Sequence, residues 1–514
     1  MDLIQLLQSC GWLRLYRATR EELSGNTQAA YSSQDERALG KLGSSEDRTI
    51  SPGVSVTGRR LEIPVSQLLG HGLILGATGS GKTCSAQSLV QQLLAPSSLA
   101  GRYGVGVVDP KGDLFKAALA TLNAASSSNR LITTLDLAGL DSVIPFDILK
   151  AREDDSLPDL VTSRMETFAD LLGREGQLSL RMHRMLRLLI GLLLEFGFSF
   201  ASLEEFLERP ELSSALGSRS KNERVRRYFR RDFLKELSTT LPALRYRLDH
   251  LFARDNVRLS LSSGERPDFC ELMDGGGVVL VNLSGAGKSA ARVFQSLILS
   301  DIRSATFARR RPETPFIWLM DEAHVLFARE SDKDNLSSIL TMARSFGVYI
   351  VLITQSLRSA LGDGEFYQNL ETNFRWLHLL RSGPADAAIL RPGLRLTGSV
   401  PSGFPLRGRL RYLTPQQETQ HLLQEITNLP AREGFFWLRG SGARAVRLRT
   451  HKVRQSASGV HVPEPSWRKK LVSSVKKRLA EEEKKLKALA EQSAPTKGVE
   501  EFLARVEKDY VRES

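Results

Sequence analysis

Residues 76–83, GATGSGKT, constrain this chain more than any other stretch. They match G-x-x-x-x-G-K-[ST] at every fixed position: Gly76, Gly81, Lys82 and Thr83. The apolar run Leu73-Ile74-Leu75 precedes the motif, and residues 83–94 have helix character. A strand that turns into a helix through Gly76, Gly79 and Gly81 lets the backbone close tightly, so that its N–H groups and the positive helix end converge on one point. That point is a phosphate cradle. The whole of Gly76, Ala77, Thr78, Gly79, Ser80, Gly81, Lys82 and Thr83 is expected to wrap the phosphates of ATP, with Lys82 on the β and γ phosphates and the Thr83 hydroxyl on Mg²⁺.

Four further short apolar runs lie downstream: Val105–Val108, Val278–Val281, Phe316–Met320 and Val348–Ile353. Short apolar runs separated by helical patterns indicate a parallel sheet buried on both faces. The run ending at Met320 is followed by Asp321 and Glu322. A strand ending in two acids, downstream of a complete phosphate loop, supplies the missing half of the chemistry. Asp321 is expected to hold Mg²⁺ through water, and Glu322 to activate the attacking water. A second stretch, Ser284-Gly285-Ala286-Gly287-Lys288-Ser289, imitates the first loop, but the spacing demands Gly at position 282 and the residue there is Asn282. It is expected to be a turn after a strand.

Composition adds bounds. The chain has 514 residues, 41% hydrophobic and 25% charged, as in ordinary globular proteins, and its net charge is +13. The excess of cations favours an anionic partner, nucleic acid or a membrane surface. Cys10, Cys84 and Cys270 are too scattered for a zinc cluster or a disulfide framework, which suggests a reducing compartment. No segment has the pattern of a signal peptide, and the greasiest stretch, Leu186 to Phe200, carries Arg187 and Glu195. That stretch is expected to be a buried helix and the protein cytoplasmic, with any recruitment to the inner face of a membrane made through another protein.

Five segments follow from the pattern. Residues 1–53 combine an N-terminal helix (1–20) with a polar linker (21–52). Residues 54–150 and 263–455 form the two parts of an α/β domain. Residues 151–262, rich in Leu, Arg and Glu and almost without strand signal, form an all-helical insertion, with a basic cluster at Arg219, Lys221, Arg224, Arg226, Arg227, Arg230 and Arg231. The apolar runs at 435–438 and 446–448 close the sheet. Residues 456–514 form a charged helical tail whose thin stripe Leu471, Val475, Leu479, Leu486, Leu489 points to packing on the body more than to a coiled coil.

Three more pieces complete a known arrangement: Asp109-Pro110-Lys111-Gly112-Asp113-Leu114 after the second strand, Met342 to Gln355 around Arg344, and Asn373-Phe374-Arg375 followed by Leu379-Leu380-Arg381 and Asp386. Together with the two nucleotide motifs, in this order over roughly 54–450, they resemble the HerA–FtsK superfamily of ring-forming DNA-pumping ATPases. Within it, the DPKGDL stretch, the helical insertion and Ile144-Pro145-Phe146-Asp147 look most like the type IV coupling proteins of conjugation. The resemblance implies an α/β fold: a RecA-like P-loop domain with a mainly parallel sheet, an inserted all-helical domain and a helical tail. It also implies Gln355 as a polar sensor of the γ-phosphate. Arg344, with Arg381 as a second candidate, would be an arginine delivered across a subunit interface. Lys111 and Asp113 either line the site or shape the turn. The membrane helices of coupling proteins and the small β-barrel of HerA proteins are both missing from the pattern before residue 54.

The implied function is ATP hydrolysis by a homo-oligomeric, hexameric ring that drives DNA through its channel. Two alternatives stand beside it. One is a secretion-system motor whose cargo is a polypeptide. The other is a regulatory ring that recruits and gates an effector such as a nuclease, docking through the N-terminal helix or the C-terminal tail.

Overall fold

The computed structural model describes residues 34–39, 48–95, 103–124, 131–138, 142–150, 158, 161–162, 164–165, 179–328, 330–361, 364–398, 400, 412–453 and 466–492. The expected N-terminal helix at 1–20 lies outside them, as do residues 401–411. Two compact units partition the chain. The first comprises 1–133, 270–281 and 302–460; the second comprises 134–269, 282–301 and 461–514.

In order along the chain the strands are β1 (Thr49–Ser55), β2 (Arg60–Pro64), β3 (His71–Leu75), β4 (Gly104–Asp109), β5 (Ile132–Asp136), β6 (Val278–Asn282), β7 (Phe316–Met320), β8 (Val348–Thr354), β9 (Phe374–Leu380), β10 (Glu433–Leu438) and β11 (Val446–Arg449). They form one sheet in the order β2-β1-β11-β10-β9-β3-β8-β7-β4-β6-β5. The pairs β9/β3, β3/β8, β8/β7 and β7/β4 are parallel, and those from β9 out through β10, β11 and β1 to β2 are antiparallel. The parallel strands are the apolar runs of the sequence: β3, β6 and β7 are buried at all five positions, as a sheet covered on both faces requires. Trp318 fills the space above β4 because Gly106 opposite it has no side chain; a Cβ there would meet the indole ring.

Helix α1 (Lys82–Leu94) follows β3, and α2 (Asp113–Ala124) follows β4. The register aligns the strand ends that matter. Leu75 pairs with Thr354 and Leu379, Val108 with Met320, and Met320 with Leu352. The residues at or just past these strand ends, Gly76, Asp109, Asp321, Gln355 and Arg381, therefore gather along one carboxyl edge, where ligands bind in open α/β sheets.

Part of the stretch expected to be linker is ordered. Residues 34–39 are helical, Asp35 accepts from Arg395 (2.9 and 2.7 Å), and β1 starts at Thr49. Pro52 and Gly53 interrupt the alternation that would have marked β1. β9 also escaped the pattern, because Arg375 and His378 break its apolar run. His378 is nonetheless buried, its Nδ1 2.7 Å from Ser85 Oγ, and burial lowers its pKa to about 4, so it sits there neutral.

The second unit carries α3 (Leu180–Phe196), α4 (Glu223–Arg231), the start of α5 (Gly287–Phe307) and α6 (Ser466–Gln492). Among the described residues of 151–262 no strand occurs. α3 is capped by Ser179, which accepts from Met182 N, and ends at Gly197 with φ 73°. Its buried face, Met185, Leu186, Leu189, Ile190 and Leu193, is the helix expected at Leu186 to Phe200. α6 packs as the tail stripe suggested: Leu471 and Val475 join Val143 and Leu259 in one cluster. Buried Glu482 accepts from Ser199 N (3.0 Å), Ser199 Oγ (2.6 Å) and Ser202 Oγ (2.9 Å). Asp147 of the IPFD stretch accepts from Gly264 N (2.7 Å) and pairs with Arg478 (3.2 Å), a structural knot. In α4, Tyr228 and Phe229 are buried while Arg224, Arg227 and Arg230 stay exposed. Arg226 donates to Ser220 O, and Arg227 pairs with Glu223.

Candidate nucleotide site

The loop between β3 and α1 is held from three sides. Gly76 N donates to Thr354 O (3.2 Å), Ala77 N to Arg381 O (2.7 Å) and Arg432 N to Ser80 O (2.7 Å). Gly79 and Gly81 take φ of 74° and 100°, which a side chain rarely adopts. Gly81 has a second reason to be glycine. A Cβ there would stand 2.8 Å from the Arg432 backbone, which itself bends through a left-handed φ of 68°. Ser80 Oγ is buried without a hydrogen-bond partner among the described residues. Such an orphaned hydroxyl inside a glycine cradle fits a polar ligand.

Lys82, the first residue of α1, folds back so that its Nζ lies 3.4 Å from Gly76 O. Burial lowers its pKa, against the attraction of Glu322 and Asp321. Thr83 stands half-buried in the same turn. Asp321 N donates to Val108 O (3.0 Å), which anchors the acid pair to the end of β4. Burial raises the Asp321 pKa to about 7, and the neighbouring charges of Asp109 and Glu322 add to it. Crowded carboxylates are oxygen donors suited to a hard cation. The Asp321 carboxylate, beside Asp109 and Glu322, therefore fits Mg²⁺.

Glu322 bends through φ 52° and turns its carboxylate toward the loop. Lys111 Nζ pairs with its Oε1. Gln355 Nε2 donates to Oε2 (3.1 Å) and Oε1 (3.3 Å), and His324 Nδ1 lies 3.3 Å from Oε2. Burial works to raise the Glu322 pKa, but the Lys111 hydrogen bond and charge, with Lys82 and His324, outweigh it and hold the carboxyl below its usual range. Gln355 reaches the phosphate loop as well: Thr78 Oγ1 donates to its Oε1 (2.9 Å). One amide thus ties the end of β8 to both halves of the site.

The two arginines part company. Arg381 NH2 lies 3.5 Å from Thr78 O, over its own chain's loop. Arg344 is exposed in the turn Ala343–Phe346 that enters β8 from the opposite end. The seven-residue strand between them sets Arg344 and Gln355 roughly 23 Å apart. Asp113 opens α2 at the surface, and Lys111 lines the site.

Sequence reasoning gave Asp109 and Arg432 no role. Asp109 is the buried end of β4, where its carboxylate accepts from Lys111 N (2.8 Å) and Phe115 N (3.0 Å) and so shapes the next loop. A strand-ending Asp followed by Pro-x-Gly is a signal for such a turn. Arg432 has none, since its left-handed backbone at the start of β10 depends on tertiary contact.

Residues 56–302 match a family model described as the central domain of the helicase HerA. Among solved structures, the fold resembles the unbound bacterial conjugative coupling protein TrwB (16% identity, 82% of this chain and 92% of that one, TM-score 0.50). It equally resembles the same plasmid coupling protein in complex with ADP and Mg²⁺ (17%, 83% and 93%, 0.50). VirB4 of Thermoanaerobacter pseudethanolicus matches at 14% identity, over 80% of this chain and 98% of that one, with TM-score 0.50. No curated protein matches in sequence. At these identities the structural likenesses are of fold, and they agree with the mixed, mainly parallel sheet and the phosphate loop.

Proposed function

We propose that the chain is a P-loop ATPase of the HerA–FtsK kind, which hydrolyses ATP with Mg²⁺ in a homo-oligomeric ring and uses the energy to move DNA. One observation carries the ring: Lys82, Asp321, Glu322 and Gln355 converge on one sheet edge while Arg344 of the same chain stands at the other. An arginine so placed serves a neighbour's site, and each site is completed by a second copy.

In this reading Lys82 and the loop amides bind the phosphates, Thr83 and Asp321 hold Mg²⁺, and Glu322 takes the proton of the attacking water. When bound, Mg²⁺ neutralises charge on the phosphate oxygens. Gln355 orients Glu322 against the loop through Thr78. Arg381 steadies the loop in cis, and Arg344 acts from the neighbour in trans. That TrwB carries ADP and Mg²⁺ on a like fold supports the cofactor assignment.

Removing the base should slow turnover about 10²–10³-fold while nucleotide still binds, so Glu322→Gln is the direct test of hydrolysis. Normal turnover in that variant removes Glu322 from the role. Mixing inactive Arg344→Ala with inactive Lys82→Ala should restore part of the activity, because the first supplies an intact loop and the second an intact arginine. Arg381→Ala mixed the same way should restore none.

The cargo is tested by ATPase rate at low salt with duplex DNA, single-stranded DNA or none. Stimulation supports DNA movement, and its absence favours a polypeptide cargo. The effector-gating alternative draws no support from α6, which spends its apolar stripe and Glu482 within its own unit. No helix among the described residues is long and apolar enough to cross a membrane.

A further inference from the structure

Lys111 pairs with the very carboxylate assigned as the base, yet nothing in the reaction as derived above uses it. Its backbone is fixed, since Lys111 N donates to Asp109 Oδ1 (2.8 Å) and Gly112 turns the chain at φ 89°. Its side chain is half exposed, 52% against 9% for its partner Glu322. The ion pair therefore joins a buried acid to a solvent-facing cation. Such half-exposed pairs contribute little net stability, so the lysine can be drawn away at small cost. A competitor lies close by. The Lys111 ammonium sits near enough to Lys82 and Asp321 for each to feel the other's charge, which places it beside the mouth of the phosphate loop. Bound ATP adds its terminal phosphate there, and a phosphate is a stronger magnet for an ammonium than a carboxylate already shared with Gln355.

We propose that Lys111 is a second phosphate-binding lysine, which exchanges the Glu322 carboxylate for the terminal phosphate of ATP and thereby frees the base only when a triphosphate is bound. The inference rests on the nucleotide-site reading above. Gln355 keeps Glu322 oriented after the exchange, because it is tied to Thr78 independently of Lys111. ADP has no terminal phosphate to offer, so with ADP the pair stays closed.

The test is equilibrium binding of a fluorescent ADP and of a non-hydrolysable fluorescent ATP analogue, both with Mg²⁺, to the full chain. The wild type should prefer the triphosphate. Lys111→Met should lose about tenfold of that preference, the scale of one charge-assisted hydrogen bond, with ADP affinity unchanged. Lys111→Arg should keep most of it. Glu322→Gln should bind the analogue more tightly than wild type with ADP unchanged, because its lysine is already released; this arm does not depend on Lys111→Met folding. An unchanged ratio in Lys111→Met, or equal losses for both nucleotides, overturns the proposal. Lys82→Ala separates the two levels. If it still binds nucleotide, the loop assignment itself fails; if it binds neither nucleotide while Lys111→Met keeps the wild-type ratio, only the exchange fails.

Discussion

Two loops in this chain carry glycines, a lysine and a hydroxyl between a strand and a helix, and they do different work. In GATGSGKT the glycines open a concave backbone, Lys82 arches over it, and the facing strand ends bring Asp321, Glu322 and Gln355. In Ser284 to Ser289 the same residue types close on themselves. Asn282, where the motif needs Gly, donates to Asp136 Oδ1 (2.8 Å) and accepts from Ser284 N (3.1 Å). Ala286 N is taken by Leu283 O (3.0 Å), and Arg254 donates to Gly285 O (2.5 Å). The backbone of Leu137 and Ala138 lies directly over Gly285. A phosphate cradle needs open space over its backbone, and at Gly285 the second loop has none. Composition made the loops look alike; one residue at the spacing position separates them.

The largest expected contrast is between the two lysines. Lys82→Ala should abolish nucleotide binding and lower turnover by about 10²-fold or more, because it removes the cation that meets the phosphates. Lys288→Ala should leave both at wild-type level. ATPase rate and nucleotide affinity for the pair decide it, and comparable losses would mean that the second loop binds nucleotide after all.

A smaller contrast lies in the glycines. Gly81 and Gly287 both sit at positive φ, 100° and 80°, so alanine strains each by about 1–2 kcal/mol. Their neighbours differ. At Gly81 the added Cβ meets the Arg432 backbone at 2.8 Å, whereas at Gly287 it meets the movable Arg254 side chain at 3.3 Å. Gly81→Ala should therefore also distort the loop and weaken nucleotide binding, while Gly287→Ala should show the strain alone, as a lowered midpoint in chemical denaturation with affinity kept. If the two variants lose affinity equally, the rigid contact from Arg432 is not what shapes the first loop.

The same contrast explains what could be read from sequence. The catalytic edge was legible because each of its parts is local: an apolar run, then Gly76 to Thr83, or an apolar run, then Asp321 and Glu322. Burial on both faces makes such strands unmistakable. β9 was not legible, since a strand holding Arg375 and His378 hides its period; it became a strand because its neighbours β3 and β10 bury it. β1 was hidden by Pro52 and Gly53. Contacts between distant residues left no trace either. Lys111 and Glu322 are joined by the register of β4 with β7, and the left-handed Arg432 is held by distant partners, its N–H donating to Ser80 O and its carbonyl accepting from Thr450 N. Arg344 and Arg381 stood along the chain as first and second candidates for one role, and it took the strand direction to set them at opposite ends of the sheet.

The smallest effect tests whether the spacing position alone distinguishes the loops. Asn282→Gly restores the full motif, and by pattern it should create a second site. The surroundings say otherwise: Leu137, Ala138 and Arg254 still fill the space, and Ala286 N stays spent. The expected outcome is a loss of about 1–2 kcal/mol of stability, from breaking the bonds that Asn282 makes to Asp136 and Ser284, with no nucleotide bound. The measurement belongs in a Lys82→Ala background, where the first loop is silent and any binding comes from the second. Nucleotide binding by that double variant would show that one residue is the whole difference. Stability loss without binding would show that the phosphate cradle is made by what lies around the loop as much as by the motif.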